Sequence, residues 1–271
     1  MAKLTPDATR TEHGLVINEK IIPWGAVWPK DSGAYKKGAQ YKADRLLSGG
    51  TGKVKGVTIH NTADLKNVEE DAEQYSTDSF LHLEEIVSIA RQKGLDAICI
   101  TDHDSMGLRE RAEAYSREIG YPIFVGVEFF SLWGDITAWG IDGIPDHRVS
   151  AQDFIDLVRE KDGFCVSCHP FRNNNRGLRE HLRDVHGLDG VEVLNGSTPL
   201  EENRTALRFC RELGLKAIGA SDAHVPEQVG KYVTWLPETV TTLPDFVTAL
   251  HTLETRPAIW TGSGYDVVTE F

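Results

Sequence analysis

Apolar and polar residues follow two distinct patterns along the chain from residue 80 onward. Apolar residues recur at helical spacing from Leu83 to Ala90, and Gly94 follows them, which predicts a helix ending at residue 93. The next apolar run, residues 97–101, is short and β-prone, which is typical of a buried strand. The same succession of helix and strand continues to residue 253.

Helices are predicted at 83–93, 108–119, 151–161, 178–185, 200–213 and 244–253, and strands at 97–101, 123–130, 136–141, 163–168, 190–194 and 217–221. Strands that alternate with helices of this length indicate βα units and a parallel sheet. Residues 1–56 show no helical periodicity and contain a glycine-rich stretch near Ser48. We therefore predict an α/β domain over residues 57–271 that follows an irregular N-terminal extension.

Residue types that bind metals stand at the carboxyl ends of five predicted strands. They are Asp102, His103, Glu128, His169, Asn195, Asp222 and His224, and Asp78 precedes the first predicted helix. The carboxyl ends of parallel strands share one face in such folds, so residues distant in sequence meet there. Each residue alone has an ordinary structural explanation, and it is their coincidence that indicates a site. Asp104 is instead predicted to cap the following helix.

This set of side chains suits a hydrolytic metal site. Imidazole and carboxylate ligands bind Zn, Fe and Mn, and a carboxylate can bridge two ions. Paired ions about 4 Å apart hold a phosphate group and lower the pKa of a bound water towards about 7. Arg172, three residues after His169, is placed to contact phosphate oxygens.

Composition narrows the choice of partners. The 271 residues are 40% hydrophobic and carry 29 basic against 41 acidic residues, a formal net charge of −12. This balance argues against a protein that coats nucleic acid, because phosphate neutralisation requires clustered lysine and arginine. The start of the chain is polar, and no apolar run is long enough to span a membrane, so we expect a cytoplasmic protein without a membrane partner. The pair Cys165 and Cys168 is expected to be structural.

The motifs "YSTDSFLHLEEIVSIARQKGLDAICITDHDSMG", "VGVEFF", "SCHPFR" and "IGASDAH" resemble those of the polymerase and histidinol phosphatase (PHP) family over residues 75–236. The resemblance implies a distorted (βα)7 TIM-like barrel that holds two or three divalent ions of Zn, Mn or Fe. It also implies hydrolysis of phosphate esters, from small phosphorylated molecules to short oligonucleotides.

The resemblance assigns roles residue by residue. Asp78, His103 and His224 would bind one ion, and Glu128 would bridge two others that are also held by His169 and Asp222. Asp135 stands where many family members have a metal-binding histidine, and it is a further candidate ligand. Arg172 and His224 are the expected catalytic residues.

The N-terminal part departs from this pattern. The family opens with an H-x-H strand, but here His60, also a candidate ligand, is followed two positions later by Thr62. The stretch around "IHNTA" resembles instead the start of a phage-lysin-type peptidoglycan amidase, which implies a fusion. Strand 54–60 is expected to substitute for the missing first strand, and loss of the second histidine is expected to impair activity.

The sequence therefore predicts a metal-dependent phosphoesterase that acts on small phosphate mono- or cyclic diesters. The alternative within the same fold is a 5′–3′ exonuclease or nucleotide phosphatase acting on short oligonucleotides. Alternatives of another class are an amidase remnant that uses His60 and a non-catalytic protein. Substrate identity, the choice of metal and the oligomeric state are not determined by the sequence.

Overall fold

The structure is a computed structural model that describes residues 81–271 and five short strands nearer the N-terminus. These strands are β1 (Thr9–Thr11), β2 (Gly14–Ile17), β3 (Lys20–Pro23), β4 (Gly52–Val54) and β5 (Val57–Ile59). β1, β2 and β3 form an antiparallel sheet, so the prediction of an irregular extension is wrong for these residues. His60 and Asp78 lie outside the described residues.

The prediction that a strand at 54–60 substitutes for the missing first strand is also wrong. Val54 ends β4 and Val57 begins β5, and the two strands pair antiparallel as a hairpin. Residues 54–60 are therefore not one strand. Among the described strands, β5 pairs only with β4 and joins none of the sheets that carry the site.

The main part of the chain contains five α-helices and ten strands among residues 81–271. The helices are α1 (Leu83–Gln92), α2 (Arg109–Ile119), α3 (Ala151–Glu160), α4 (Leu200–Leu213) and α5 (Leu243–Thr252), with 3₁₀ helices at Arg179–Arg183 and Pro226–Gln228. The strands are β6 (Ile98–Ile100), β7 (Ile123–Val125), β8 (Val127–Phe130), β9 (Asp135–Trp139), β10 (Phe164–Ser167), β11 (Gly190–Asn195), β12 (Lys216–Ala220), β13 (Tyr232–Trp235), β14 (Arg256–Trp260) and β15 (Tyr265–Val267).

The central sheet is mixed, with the order β12-β11-β10-β9-β8. β10, β11 and β12 are parallel, as predicted, but β9 runs antiparallel to both of its neighbours. The short connection from Phe130 to Asp135 leaves room only for a hairpin, because a parallel crossover needs a dozen or more residues. β13, β14 and β15, which we did not predict, form a separate antiparallel sheet.

The described strands form no closed barrel, so the predicted (βα)7 closure is not confirmed. β6 and β7 form their own two-stranded parallel sheet. The chain beyond β6 reaches the central sheet through main-chain hydrogen bonds, in which Glu128 N donates to Asp102 O (3.1 Å) and Asp104 N donates to Glu128 O (2.9 Å). At the other edge, Ser221 Oγ donates to Tyr232 O and links the end of β12 to β13.

Buried apolar faces fix the helices on this sheet. α3 buries Phe154, Ile155 and Val158 against the sheet, where Phe129 stacks on Phe154 with ring centroids 4.3 Å apart. Ser150 caps this helix by accepting a hydrogen bond from Asp153 N. Replacing one such phenylalanine by alanine costs about 3–5 kcal/mol, so this packing holds β8–β11 and the residues at their ends in place. No helix among the described residues combines the length and apolar character needed to cross a bilayer.

Candidate metal centre

The first pair of site residues is His103 and Glu128. Glu128 lies on β8, and His103 follows β6. A single parallel bridge pairs His103 with Glu128. This pairing places His103 Nδ1 3.3 Å from Glu128 Oε1. Both side chains are largely buried.

His169 joins them from the end of β10. Its Nε2 lies 3.4 Å from Glu128 Oε1 and 3.8 Å from Asp135 Oδ2, and the residue is 3% exposed. Its φ of 28° is unusual for a residue other than glycine and costs about 1–3 kcal/mol. A buried carboxylate, Glu192 on β11, holds this turn by accepting hydrogen bonds from His169 N (3.0 Å) and Asn195 Nδ2 (2.9 Å).

Asp135 begins β9 and is fully buried beside Arg176. Arg176 Nε donates to Asp135 Oδ2 (2.6 Å), and Arg176 Nη2 donates to Asp135 Oδ1 (2.7 Å). The same Nη2 lies 3.0 Å from His103 Nδ1. Because a guanidinium has only donors, His103 Nδ1 is the acceptor of that hydrogen bond.

Asp222 and His224 follow β12. His224 Nδ1 lies 3.6 Å from Asp222 Oδ1, and Arg172 Nη1 donates to Asp222 Oδ2 at 2.5 Å. Asp222 has a φ of 47°, and its carbonyl accepts a hydrogen bond from Ser197 Oγ. Together with His103, Glu128 and Glu192, they line one cavity of 550 Å³. Its deeper wall is apolar and includes Phe124, Trp139, Phe164 and Phe246.

The electrostatics of the cluster favour a bound cation. Burial and the charge of Asp222 raise the pKa of Glu128 well above its ordinary value. Burial and the charge of Glu128 raise the pKa of Asp135 in the same way. Arg176 opposes both shifts. Burial and the nearby Arg176 hold the pKa of His103 well below its ordinary value. The site therefore concentrates buried carboxyl groups beside the imidazole of His103, whose neutral form is favoured.

An unpaired buried carboxylate oxygen indicates that the residues present fit a metal ion. Among the described residues, Glu128 Oε1 and His169 Nδ1 are buried and make no hydrogen bond. Metal–ligand bonds of about 2.0–2.2 Å place neighbouring tetrahedral ligand atoms about 3.3–3.6 Å apart, which matches the 3.4 Å from Glu128 Oε1 to His169 Nε2. The candidate ligand atoms of His103, Glu128 and Asp135 all lie within 4.8 Å of one another.

The structure thus brings together most of the residues chosen from the sequence. His103, Glu128, Asp135 and His169 form one cluster, and Asp222 and His224 line the same cavity as His103 and Glu128. Arg172, expected to contact phosphate, pairs with Asp222.

The predicted helix cap is wrong. Asp104 has a φ of 49°, and its Oδ1 accepts a hydrogen bond from Phe130 N, while α2 begins one residue after Leu108. Glu192 and the pairing role of Arg176 were missed. An acid inside the buried run "GVEVLN" is a signal that could have identified Glu192, whereas nothing local distinguishes Arg176 from other loop arginines.

Comparison with known protein families agrees with this geometry. The profile of the PHP domain matches residues 73–168, and the profile described as PHP-associated matches residues 201–255. Residues 73–168 are therefore similar to a PHP domain, and residues 201–255 are similar to the segment that accompanies it. Neither match includes residues 1–60, so these comparisons do not support the amidase-like fusion.

Among curated proteins, an uncharacterized protein of Methanocaldococcus jannaschii is 26% identical over 110 residues. The alignment covers 41% of this chain and 64% of that relative, which is less than two thirds of the relative's length.

Solved structures share the fold. PsfC of Pseudomonas syringae aligns with a TM-score of 0.53 and 19% identity over 66% of this chain and 83% of its own. A two-domain protein of Bacteroides vulgatus aligns with a TM-score of 0.50 and 20% identity, and it contains a predicted PHP-like metal-dependent phosphoesterase. The alignment covers 65% of this chain and 60% of that protein. The lesion-specific endonuclease PfuEndoQ of Pyrococcus furiosus aligns with a TM-score of 0.52 and 14% identity. The alignment covers 67% of this chain and 56% of that protein.

Proposed function

We propose that this protein is a metal-dependent phosphoesterase that hydrolyses small phosphate mono- or diesters. One observation carries the proposal: the buried Glu128 Oε1 makes no hydrogen bond and lies 3.4 Å from His169 Nε2. The PHP domain match over residues 73–168 supports the same chemistry.

Glu128, His169 and Asp222 would hold one or two divalent ions of Zn, Mn or Fe, with His103 and His224 beside them. When bound, an ion supplies Lewis acidity, which makes water nucleophilic near neutral pH and neutralises charge on phosphate oxygens. Glu192 fixes the main chain of His169 and so holds its imidazole against Glu128.

Arg172 is the group best placed to bind the phosphate. Its side chain is 26% exposed and it already pairs with Asp222, so a substrate phosphate can take over part of that pairing at the edge of the centre. A guanidinium binds phosphate through two parallel hydrogen bonds and opposes the negative charge that develops in the transition state.

A small substrate is favoured over a nucleic acid by charge and by space. The chain has a net charge of −12, which opposes the binding of a long polyanion. A cavity of 550 Å³ suits a ligand of small-molecule size. A short oligonucleotide is the second substrate to test, since PfuEndoQ, which shares the fold, is an endonuclease.

Metal analysis and an ester assay on one preparation test the proposal. Protein purified without chelator should contain bound metal and hydrolyse p-nitrophenyl phosphate or its bis ester with Mn²⁺ or Zn²⁺. Glu128→Gln should abolish turnover, whereas Glu118→Gln on the exposed face of α2 should match the parent. Metal-free protein that stays inactive after metal addition would refute the proposal. Turnover of oligonucleotides alone would move the assignment to the nuclease alternative.

A further inference from the structure

Arg176 is an unusual feature of a centre built from metal-ligand residues. It is 8% exposed, and its guanidinium points into the cluster where a metal ion would otherwise balance the carboxylates. An arginine guanidinium is not deprotonated in proteins, and this one pairs with both oxygens of Asp135. The cluster therefore contains a permanent cation supplied by the chain itself.

The position of this cation excludes an ion from part of the cluster. Arg176 Nη2 lies 2.7 Å from Asp135 Oδ1 and 3.0 Å from His103 Nδ1. An ion bound to these two atoms would sit about 2.0–2.2 Å from each, in the space that Nη2 occupies. The second nitrogen, Nε, engages Asp135 Oδ2, so both oxygens of this carboxylate accept from the same fork.

The surroundings hold the guanidinium in this position. Its central carbon lies 4.4 Å from the ring centroid of Phe130, and Arg176 O accepts a hydrogen bond from Asp135 N. The neighbouring Gly177 packs so closely on the loop that a Cβ there would lie 2.2 Å from Pro170 O. A side chain held by three side-chain hydrogen bonds, a ring contact and the main chain does not leave without rearrangement of the loop.

Building on the proposed function, we infer that Arg176 takes the place of one metal ion. It neutralises Asp135 and orients His103, so Asp135 is the partner of this arginine and not a metal ligand. The ions are confined to the side of the cluster formed by Glu128, His169 and Asp222. Arg176 is a positioning residue, because it is buried behind these groups, whereas the more exposed Arg172 is the arginine that meets substrate.

Metal content distinguishes the two roles of Asp135. With Mn²⁺ or Zn²⁺ quantified by mass spectrometry after dialysis, Asp135→Asn should bind as many ions per chain as the parent protein. Its amide oxygen can still accept one of the two hydrogen bonds from Arg176, and circular dichroism checks that the variant is folded. Loss of one equivalent of metal in this variant would overturn the inference, because it would make Asp135 a ligand.

The complementary variant removes the cation. Arg176→Met should bind one more ion per chain than the parent, because Asp135 and His103 are then open to a metal. The gain should disappear when Asp135→Asn is added. In EDTA, Arg176→Met should melt several degrees below the parent, and added Mn²⁺ should restore more of this loss than it does in the double variant. Arg183→Met, which removes an exposed guanidinium paired with Glu212, is the matched control and should leave metal content unchanged.

Unchanged metal content in Arg176→Met, together with no metal-dependent recovery of its melting temperature, would also overturn the inference. Failure of the proposed function has a different signature, since the parent protein would then bind no metal and hydrolyse no ester. The comparison between Arg176→Met and the parent would still report whether Asp135 gains an ion.

Discussion

His103 Nδ1 lies 3.3 Å from Glu128 Oε1 because the chain after β6 pairs in parallel with β8 at this one residue. The contact joins the ends of two sheets, and His169 approaches the same carboxylate oxygen from β10. An unpaired buried carboxylate costs several kcal/mol in isolation, so the arrangement is stable only when protons or cations balance the charge.

Metal-free protein should lose stability as the pH rises. The pKa of Glu128 is raised well above 4.5 in the folded state, so the folded state binds more protons. The stability that this group contributes is present below pH 4.5 and is lost as the pH rises through the folded pKa. The unfolding free energy of the parent, relative to Glu128→Gln, should therefore fall above pH 4.5 by up to about 1.4 kcal/mol per pH unit.

Denaturant titrations in EDTA at several pH values measure this difference. The lowered pKa of His103 makes stability rise with pH below pH 6.5, which is the opposite trend. This contribution cancels to first order in the comparison because both proteins contain His103. Added metal should reverse the trend, since metal binds deprotonated ligands. A difference that stays constant from pH 5 to pH 8 would contradict the prediction.

Asp222→Asn should abolish ester hydrolysis while the fold is kept. Asp222 pairs with Arg172 and lines the cavity with Glu128, and an amide of the same shape removes its charge and replaces one acceptor oxygen with a donor. We expect kcat to fall at least about 100-fold, because a metal ligand or charge partner is lost. Asp245→Asn, at the exposed start of α5, is the control, and full activity of Asp222→Asn would show that the assigned role is wrong.

Arg172→Ala should weaken phosphate binding. A hydrogen bond to a charged group contributes about 1.5–3 kcal/mol, so kcat/KM should fall roughly 10- to 100-fold. Inhibition by inorganic phosphate should weaken in parallel, and Arg172→Lys should restore part of both. If the phosphate inhibition constant is unchanged, Arg172 serves only to pair with Asp222.

Gly177→Ala should destabilise the loop that carries Arg176. A Cβ at Gly177 would lie 2.2 Å from Pro170 O and 2.8 Å from His169 O. These are main-chain atoms, so they can move away only if the loop rearranges. We expect a loss of at least about 2 kcal/mol in unfolding free energy together with weaker metal binding. Gly143→Ala, where the Cβ would meet nothing within 4 Å, is the matched control, and equal stability of the two variants would contradict the prediction.

The sequence by itself determined the elements whose signals are local. α4 spans Leu200–Leu213 as predicted, because its apolar face repeats at helical spacing and Gly214 ends it in the left-handed conformation. Strands β10, β11 and β12 were found as short buried apolar runs, and their parallel order placed the ends of all three on one face. Sequence reasoning also chose Glu128, His169 and Asp222 as candidate ligands, because each stands at or near the end of a predicted strand.

Tertiary structure decided what depends on partners distant in sequence. The direction of β9 is not encoded in its composition, because a fully buried strand has the same pattern whether its neighbours are parallel or antiparallel. β13 was missed because its half-exposed residues, Tyr232–Trp235, give no clear alternation. Arg176 resembles any loop arginine until folding brings it against Asp135 and His103. The energy of a buried ion pair depends on the geometry of both partners, so no local sequence pattern predicts it.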